Sequence, residues 1–368
     1  MLFSTRPTLK HIRDGRFRIV KRIGKGAFST VYKVVDKEGN KYALKVLKSL
    51  SHIGSPLARE MLERNEMELE YQAQTLVHRH GNIVTLQDMF FSDNNLRCFL
   101  LDLHDGGSLD HYITKTTRFW RNDEEIRRVF LQILGAVERC SEMGVTHGDI
   151  KPHNILSDKV GENFFLSDFG LSTMILNCNV TGAIGTRMYM APELALGEQP
   201  DVPYDPRKGD VWSLGIVLCQ MITGCAPWSD VALDAEYVEY SERGAKFLAE
   251  TMAVSPVLVP ILVEMLAPKP QNRPTVTELK AMIENVPRFH MNAEEFANAS
   301  KEARWQLRHF ARHLRVSLDF PIPEIVPALL YSSDGSASLG MSTVASQEST
   351  QGEKGAGLAR ALRKIILI

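Results

Sequence analysis

The stretch HGDIKPHN, from His147 to Asn154, decides how the rest of the chain is read. It sets an acid (Asp149), a cation (Lys151) and an amide (Asn154) on one short loop. A second acid, Asp168 of the stretch DFG (Asp168 to Gly170), follows fourteen residues after Asn154. A single acid in a loop is usually a turn former or a helix cap. Four polar groups within twenty residues, flanked by the apolar runs Ile155-Leu156 and Phe164-Phe165-Leu166, are harder to account for as turns. An acid able to accept a proton, with an amide and a second acid able to hold a divalent metal, is what phosphoryl transfer requires.

The bulk properties narrow the classes. The 368 residues suffice for two lobes with substantial cores plus a tail. Hydrophobic residues are 44% and charged residues 24%, and the formal net charge is -1. That balance points to neither nucleic acid nor an anionic membrane as a partner. The five cysteines (Cys98, Cys140, Cys178, Cys219 and Cys225) contain no CxxC pair, which suits reduced thiols and a cytoplasmic or nuclear location. The opening MLFSTRPTLKHIRDGR has no apolar core of a secretory signal, and no run is long enough to span a bilayer.

On either side of the opening stretch the periodicity differs. Residues 1–13 are polar and basic and read as a loose arm. Residues 14–102 read as mainly sheet. Three strands are expected from Phe17 through Leu47, turning at Gly24–Gly26 and Glu38–Asn40, and two more over Ile83–Phe91 and Leu96–Leu103. Between them Leu62, Glu66, Leu69, Ala73 and Leu76 fall at helical spacing, so 56–79 reads as one long helix. Residues 103–288 read as mainly helical. Asn122 with Glu125 is a cap signal ahead of the face Ile126, Val129, Phe130, Ile133, Leu134 and Val137. Further helices are expected near Pro192–Leu196, Asp210–Thr223, Val257–Leu266 and Thr275–Ile283. Residues 289–330 read as a helical extension, with Phe296, Ala303, Leu307, Phe310 and Leu314 on one stripe. Residues 331–368 are rich in Ser, Gly and Thr over most of their length and read as a disordered tail.

Two further stretches carry chemistry. Gly24-Lys25-Gly26-Ala27-Phe28-Ser29-Thr30-Val31 joins two expected strands. Glycines let such a turn approach phosphates, although a plain hairpin would also serve. Strand–turn–strand is not the strand–turn–helix of a dinucleotide fold. Tyr42-Ala43-Leu44-Lys45 places a lysine in an apolar strand, which is costly unless the ammonium is paired or snorkels to water.

Taken in order, these motifs make the chain similar to the eukaryotic protein kinase superfamily over roughly residues 14–288. The series is GKGAFSTV, YALK, HGDIKPHN, DFG, APE (Ala191 to Glu193), DVWSLG (Asp210 to Gly215) and the arginine of QNRPT (Arg273). The resemblance implies an α+β, bilobal fold, with a small mainly-β N-lobe holding one long helix and a larger mainly-α C-lobe. It implies ATP and Mg²⁺ as cofactors and proteins bearing Ser or Thr as substrates. On that reading Ile23 to Ser29 and Val31 cover the nucleotide, and Lys45 binds its α and β phosphates while pairing with a helix glutamate. Glu70 suits that pairing better by spacing than Glu66. Asp149 accepts the hydroxyl proton, Lys151 neutralises the γ-phosphate, and Asn154 and Asp168 hold the metal. The backbone of Asp102 and His104 meets adenine, Ile23, Val31, Ala43 and Leu156 sandwich it, and Glu193 pairs with Arg273.

The chain departs from the family at Gly148, where an arginine usually stands. That arginine answers a phosphate on the activation loop. Its loss implies activity without such a phosphate, although Ser172, Thr173 and Thr181 remain available. Ser29 replaces a third glycine, and His153 stands where many members that select basic sequences carry glutamate. Lys151 and the Gly185-Thr186 pair resemble Ser/Thr rather than Tyr kinases. The segments SPVLVPILVEMLAPKPQNRPTVTELKAMI and HRHGNIVTL resemble fungal kinases of nutrient and meiotic signalling. The alternative is a pseudokinase scaffold; the helical extension is either a strut packed on the C-lobe or an autoinhibitory or partner-binding helix.

Overall fold

The computed structural model describes residues 11–12, 15–26, 29–48, 68–93, 96–174, 185–196 and 205–318. Alternation along the strands builds the first part. Strands β1 (His11–Ile12), β2 (Phe17–Lys25), β3 (Ser29–Val35), β4 (Lys41–Leu47), β5 (Leu86–Phe91) and β6 (Arg97–Asp102) form one antiparallel sheet, ordered β1-β2-β3-β4-β6-β5. Successive side chains leave opposite faces of a strand, so β4 sends Leu44 and Val46 to one face and Ala43 and Lys45 to the other. Leu44 and Val46 join Ile12, Phe17, Val34, Phe90 and Leu100 in a buried cluster. Within it Phe17 stacks on Phe90 at 5.9 Å. On the other face, Lys45 lies opposite Val31 of β3 and Phe99 of β6. Helix α1 (residues 68–77) packs Tyr71 against Leu86 and Phe99, and its Gln74 donates to the carbonyl of Val84 at 2.6 Å.

Several boundaries differ from the sequence expectation. The arm expected over 1–13 contains β1, because Ile12 pairs with Phe17 and is fully buried. Of the helix expected over 56–79, the described part ends at residue 77 and turns before His80; 56–67, with Glu66, lie outside the described residues. Ile83 makes only an isolated bridge to Leu166, so β5 begins at Leu86.

The helical part is assembled on one large core. Helices α2 (Leu109–Lys115) and α3 (Asp123–Glu142) come first, and every residue of the expected α3 face is buried. The Asn122 side chain accepts from the N–H of Glu125, as the cap signal requires. Two small ladders follow: β7 (Val145–Thr146) pairs with β10 (Thr173–Met174), and β8 (Ile155–Ser157) pairs with β9 (Phe164–Leu166). Helix α4 (Pro192–Ala195) precedes α5 (Arg207–Thr223), which is buried nearly all round and starts before the expected Asp210. Helices α6 (Ala235–Arg243) and α7 (Ala245–Thr251) are additional to the expected set. Then come α8 (Val259–Met265) and α9 (Val276–Asn285), the latter opened by a Thr275–Glu278 capping box.

The single helix expected beyond residue 292 is two, α10 (Ala293–Asn298) and α11 (Lys301–Leu314). Asn292 and Ser300 each cap a separate start, and Phe296 is only half-buried. Residues 319–368, including the expected tail, lie outside the described residues. Among those described, no helix is long and apolar enough to cross a membrane.

The sheet connects to the helices through 103–108. Upstream, the N–H of Asp102 bonds to the carbonyl of Thr85 at 3.0 Å. Downstream, the N–H of Gly106 bonds to the carbonyl of Ser157 at 3.1 Å and the N–H of Ser157 to that of Gly107 at 2.8 Å. A cleft of about 1590 Å³ lies between the two parts.

Candidate active site

The cleft roof is the cleft face of the sheet. Ile23, Gly24, Lys25, Gly26, Ser29 and Val31 line it from the β2–β3 turn, and Ala43 and Lys45 from β4. Ala27 and Phe28 lie outside the described residues. Asp102 and His104 line the back wall, and Leu156 the floor. The His104 ring stacks on Phe165 at 3.8 Å, and burial lowers its pKa, which favours the neutral imidazole.

Alternation brings Lys45 into the cleft, and two carboxylates meet it there. Its Nζ lies 2.5 Å from Glu70 Oε1 and 2.6 Å from Asp168 Oδ1. Burial alone would lower the lysine pKa, but the two carboxylates reverse this and raise it. Burial likewise pushes Asp168 up, and Lys45 more than offsets it, holding the carboxyl below its ordinary value. Lys45 and Asp168 are therefore both charged at neutral pH. Of the two candidate glutamates, Glu70 is the one the described structure brings to Lys45.

The loop after β7 gathers the second cluster. Asp149 is 8% exposed and its oxygens are shared among three side chains. Oδ1 accepts from the Thr186 hydroxyl at 2.9 Å and its N–H at 3.2 Å. Oδ2 accepts from Lys151 Nζ at 2.6 Å and Asn154 Nδ2 at 3.0 Å. Lys151 also donates to Thr186 Oγ1 at 2.8 Å. The two clusters are fastened together by Ser167, whose N–H and hydroxyl both donate to the Asn154 carbonyl, at 2.9 and 2.8 Å.

Beneath this loop is a residue to which sequence reasoning gave no role. Asp210, in the first turn of α5, accepts from the N–H of His147 at 2.8 Å and of Gly148 at 2.9 Å. Burial pushes its carboxyl up, while His147 and these two N–H groups pull the other way. His147 itself is buried, bonds through Nε2 to the Ser167 carbonyl at 3.0 Å, and meets the Phe169 ring edge-on at 4.8 Å. The signal for Asp210 was present: a lone acid opening the apolar run VWSLGIVL is costly unless its oxygens are satisfied.

Among the described residues no cluster of three or more His, Cys, Asp and Glu could hold a metal. Of the two expected metal ligands, Asp168 belongs to the first cluster and Asn154 to the second. Asn154 spends its NH₂ on Asp149, and the Asp168 side chain is 49% exposed towards the cleft.

Residues 17–283 match the protein kinase domain model. The chain belongs to the protein kinase family. It is 34% identical over 236 residues to CBL-interacting protein kinase 9 of Oryza sativa subsp. japonica, covering 63% of this chain and 48% of that protein. It is 30% identical over 271 residues to sucrose non-fermenting protein kinase 1 of Fusarium virguliforme, covering 73% of this chain and 36% of that protein. This kinase chain thus spans about half the length, or less, of these two relatives, at 48% and 36%. Its bilobal fold is that of the family. The expected Glu193–Arg273 pair is present and bidentate, with both contacts at 2.7 Å. The Arg273 side chain is fully buried and its guanidinium lies over Trp212 at 4.9 Å.

Proposed function

We propose that this kinase chain is an active Ser/Thr protein kinase that transfers the γ-phosphate of ATP to a hydroxyl of a protein substrate. The observation that carries the reading is the shared grip of Lys151, Asn154 and Thr186 on Asp149. A carboxylate held in one orientation by three donors can align a substrate hydroxyl and take its proton without reorganising. Lys151, next to it, would offset negative charge growing on the transferred group. Lys45, locked between Glu70 and Asp168, would hold the α and β phosphates. Adenine would lie between Ile23, Val31 and Ala43 above and Leu156 below, against the backbone of Asp102 and His104.

Asn154 and Asp168 would hold Mg²⁺. Hard oxygen donors suit that ion, and two protein ligands are enough where phosphate oxygens and water complete the shell. The bound ion would neutralise phosphate charge; the chain's own residues orient the reacting groups.

The reading extends to regulation. With glycine at 148 there is no side chain to answer an activation-loop phosphate. The end of that segment is instead tied to the catalytic loop by Thr186, and its start by the β7–β10 ladder. Activity is therefore independent of activation-loop phosphorylation. A pseudokinase finds no support in the site, since Lys45, Asp149 and Asp168 are all in place. The test is phosphate transfer from Mg-ATP to a peptide array, using phosphatase-treated full-length protein. Transfer lost in Asp149→Asn supports the reading. No transfer by the intact chain refutes it, and transfer that needs a phosphate at Thr181 refutes the regulatory part.

A further inference from the structure

Helix α11 touches the kinase at two distinct places. Its first half is anchored on the last turn of α7 and on Ala253 just beyond it. Ser300 donates to the carbonyl of Glu250, and Gln306 accepts from the N–H of Ala253 at 2.7 Å. Its second half reaches residues that line the cleft. The His313 ring bonds through Nε2 to the carbonyl of Thr114 at 2.8 Å, and Thr114 lines the cleft. The Phe310 ring fills the space beside Gly224. A Cβ built on Gly224 would stand 2.4 Å from two carbons of that ring.

Gly224 is the left-handed residue (φ +72°) that ends α5, and it too lines the cleft. Its N–H bonds to the carbonyl of Gln220 at 2.9 Å. The Gln220 side chain accepts from the Tyr189 hydroxyl at 2.9 Å and donates to the Met188 sulfur at 3.8 Å. Met188, Tyr189 and Gln220 all line the cleft, just past the Thr186 that grips Asp149. A continuous line of contacts therefore runs from Phe310, through the last turn of α5, to the wall beside the catalytic loop. Trp120 backs the Phe310 ring edge-on at 5.7 Å, so the ring has little room to move.

We propose that Phe310 is a positioning residue for the protein substrate. It acts from behind the cleft by fixing Gly224 and, through Gln220, the Met188–Tyr189 wall. The inference rests on the kinase reading and adds to it a role for the helical extension that a plain strut would not have. The nucleotide part of the cleft is lined by the sheet, by Asp102 and His104 and by Leu156 and Asp168, none of which lies on this line of contacts, so the effect falls on the peptide and not on ATP.

The experiment compares Phe310→Ala, Phe310→Leu and Gln306→Ala in the full chain. Gln306→Ala loosens the anchored half of α11 and serves as the control for simple loss of packing. Phe310→Ala is expected to raise the KM for a peptide substrate roughly tenfold while leaving the KM for ATP unchanged, and Phe310→Leu to recover most of the loss. Amide hydrogen exchange across 187–190 and 220–225 should quicken in Phe310→Ala and stay unchanged in Gln306→Ala. If Phe310→Ala fails to fold, Phe310→Leu carries the same comparison at smaller amplitude. Equal effects of the Phe310 and Gln306 variants on both readouts, or unchanged exchange across 187–190 in the Phe310 variants, would overturn the proposal. An inactive wild-type chain would sink the kinase reading and the substrate role with it, whereas an active chain with unchanged exchange in the Phe310 variants would sink this inference alone.

Discussion

Replacing Gly148 by alanine is expected to destabilise the kinase and slow it together. The backbone at 148 sits at φ +77°, where an ordinary L-residue costs roughly 1–2 kcal/mol. Space is the second cost. A Cβ at 148 would stand 2.6 Å from the carbonyl oxygen of Leu171, closer than two such atoms can rest. Neither side yields easily. The Gly148 N–H is held by buried Asp210 at 2.9 Å. Leu171 is followed by Ser172, whose N–H bonds back to Phe169 at 3.0 Å. Together the two costs come to roughly 2–3 kcal/mol. At about 2–4 °C per kcal/mol for a domain of this size, Tm should fall by about 4–12 °C. Moving Leu171 also disturbs Asp168 three residues away, so the phosphotransfer rate should drop roughly tenfold. Differential scanning calorimetry and a peptide phosphorylation assay measure both. Gly148→Arg carries the same Cβ, so installing the residue usual in the family should cost at least as much. An alanine variant with Tm within about 1 °C of the parent and an unchanged rate would refute the argument.

Two further outcomes can be checked. Arg273→Leu leaves the Glu193 carboxylate buried without its bidentate partner, and strips the carbonyls of Ala267 and Lys208 of their donors. A loss of roughly 3–5 kcal/mol is expected in urea unfolding, and a loss under about 1 kcal/mol would contradict the geometry. Asp123 gives a pH signature. Burial alone would raise its carboxyl, but the His290 side chain and the N–H groups of Phe289 and His290 hold it below the ordinary 3.8. Its contribution is present above that value and is lost as pH falls through the lowered one. Asp123→Asn should therefore be less stable at neutral pH and flatter below about pH 4. Unfolding curves across the acid range that are parallel for the two proteins would dismiss the assignment.

Most of the catalytic geometry was legible because its residues are near one another in sequence or follow a strict period. Lys45 faces the cleft for the same reason that Ala43 does, and Asp149, Lys151 and Asn154 share one loop. Glu70 could be ranked above Glu66 by spacing alone. Illegible were the features that depend on distant parts of the chain. Asp210 acquires its role only when α5 passes under the catalytic loop. Helices α6 and α7 escaped because Gly244, at φ +52°, divides them into pieces too short to show a period. The break between α10 and α11 escaped for the opposite reason. The apolar spacing from Phe296 to Leu314 runs through it, and only Ser300, accepting from the N–H of Ala303 at 2.9 Å, marks the new start. Ile12 looked like part of an arm because two paired residues carry too little pattern to register.

The bonds that flank the connection between the lobes limit how the cleft can close. On the sheet side the chain is fastened at Asp102 to Thr85, and on the helical side Gly106 and Gly107 are laced to Ser157. Between these fastenings lies the backbone of 103–105, and a second link joins the parts where the N–H of Val84 bonds to the carbonyl of Leu166 at 3.0 Å and the N–H of Leu166 to that of Asn82 at 2.8 Å. Lys33 reaches across from β3 to Asp105 at 3.0 Å. Two links leave a narrow swing about the one axis that passes through both. Closure of the cleft would then resemble a jaw and not a swivel, with the roof meeting the floor in one register.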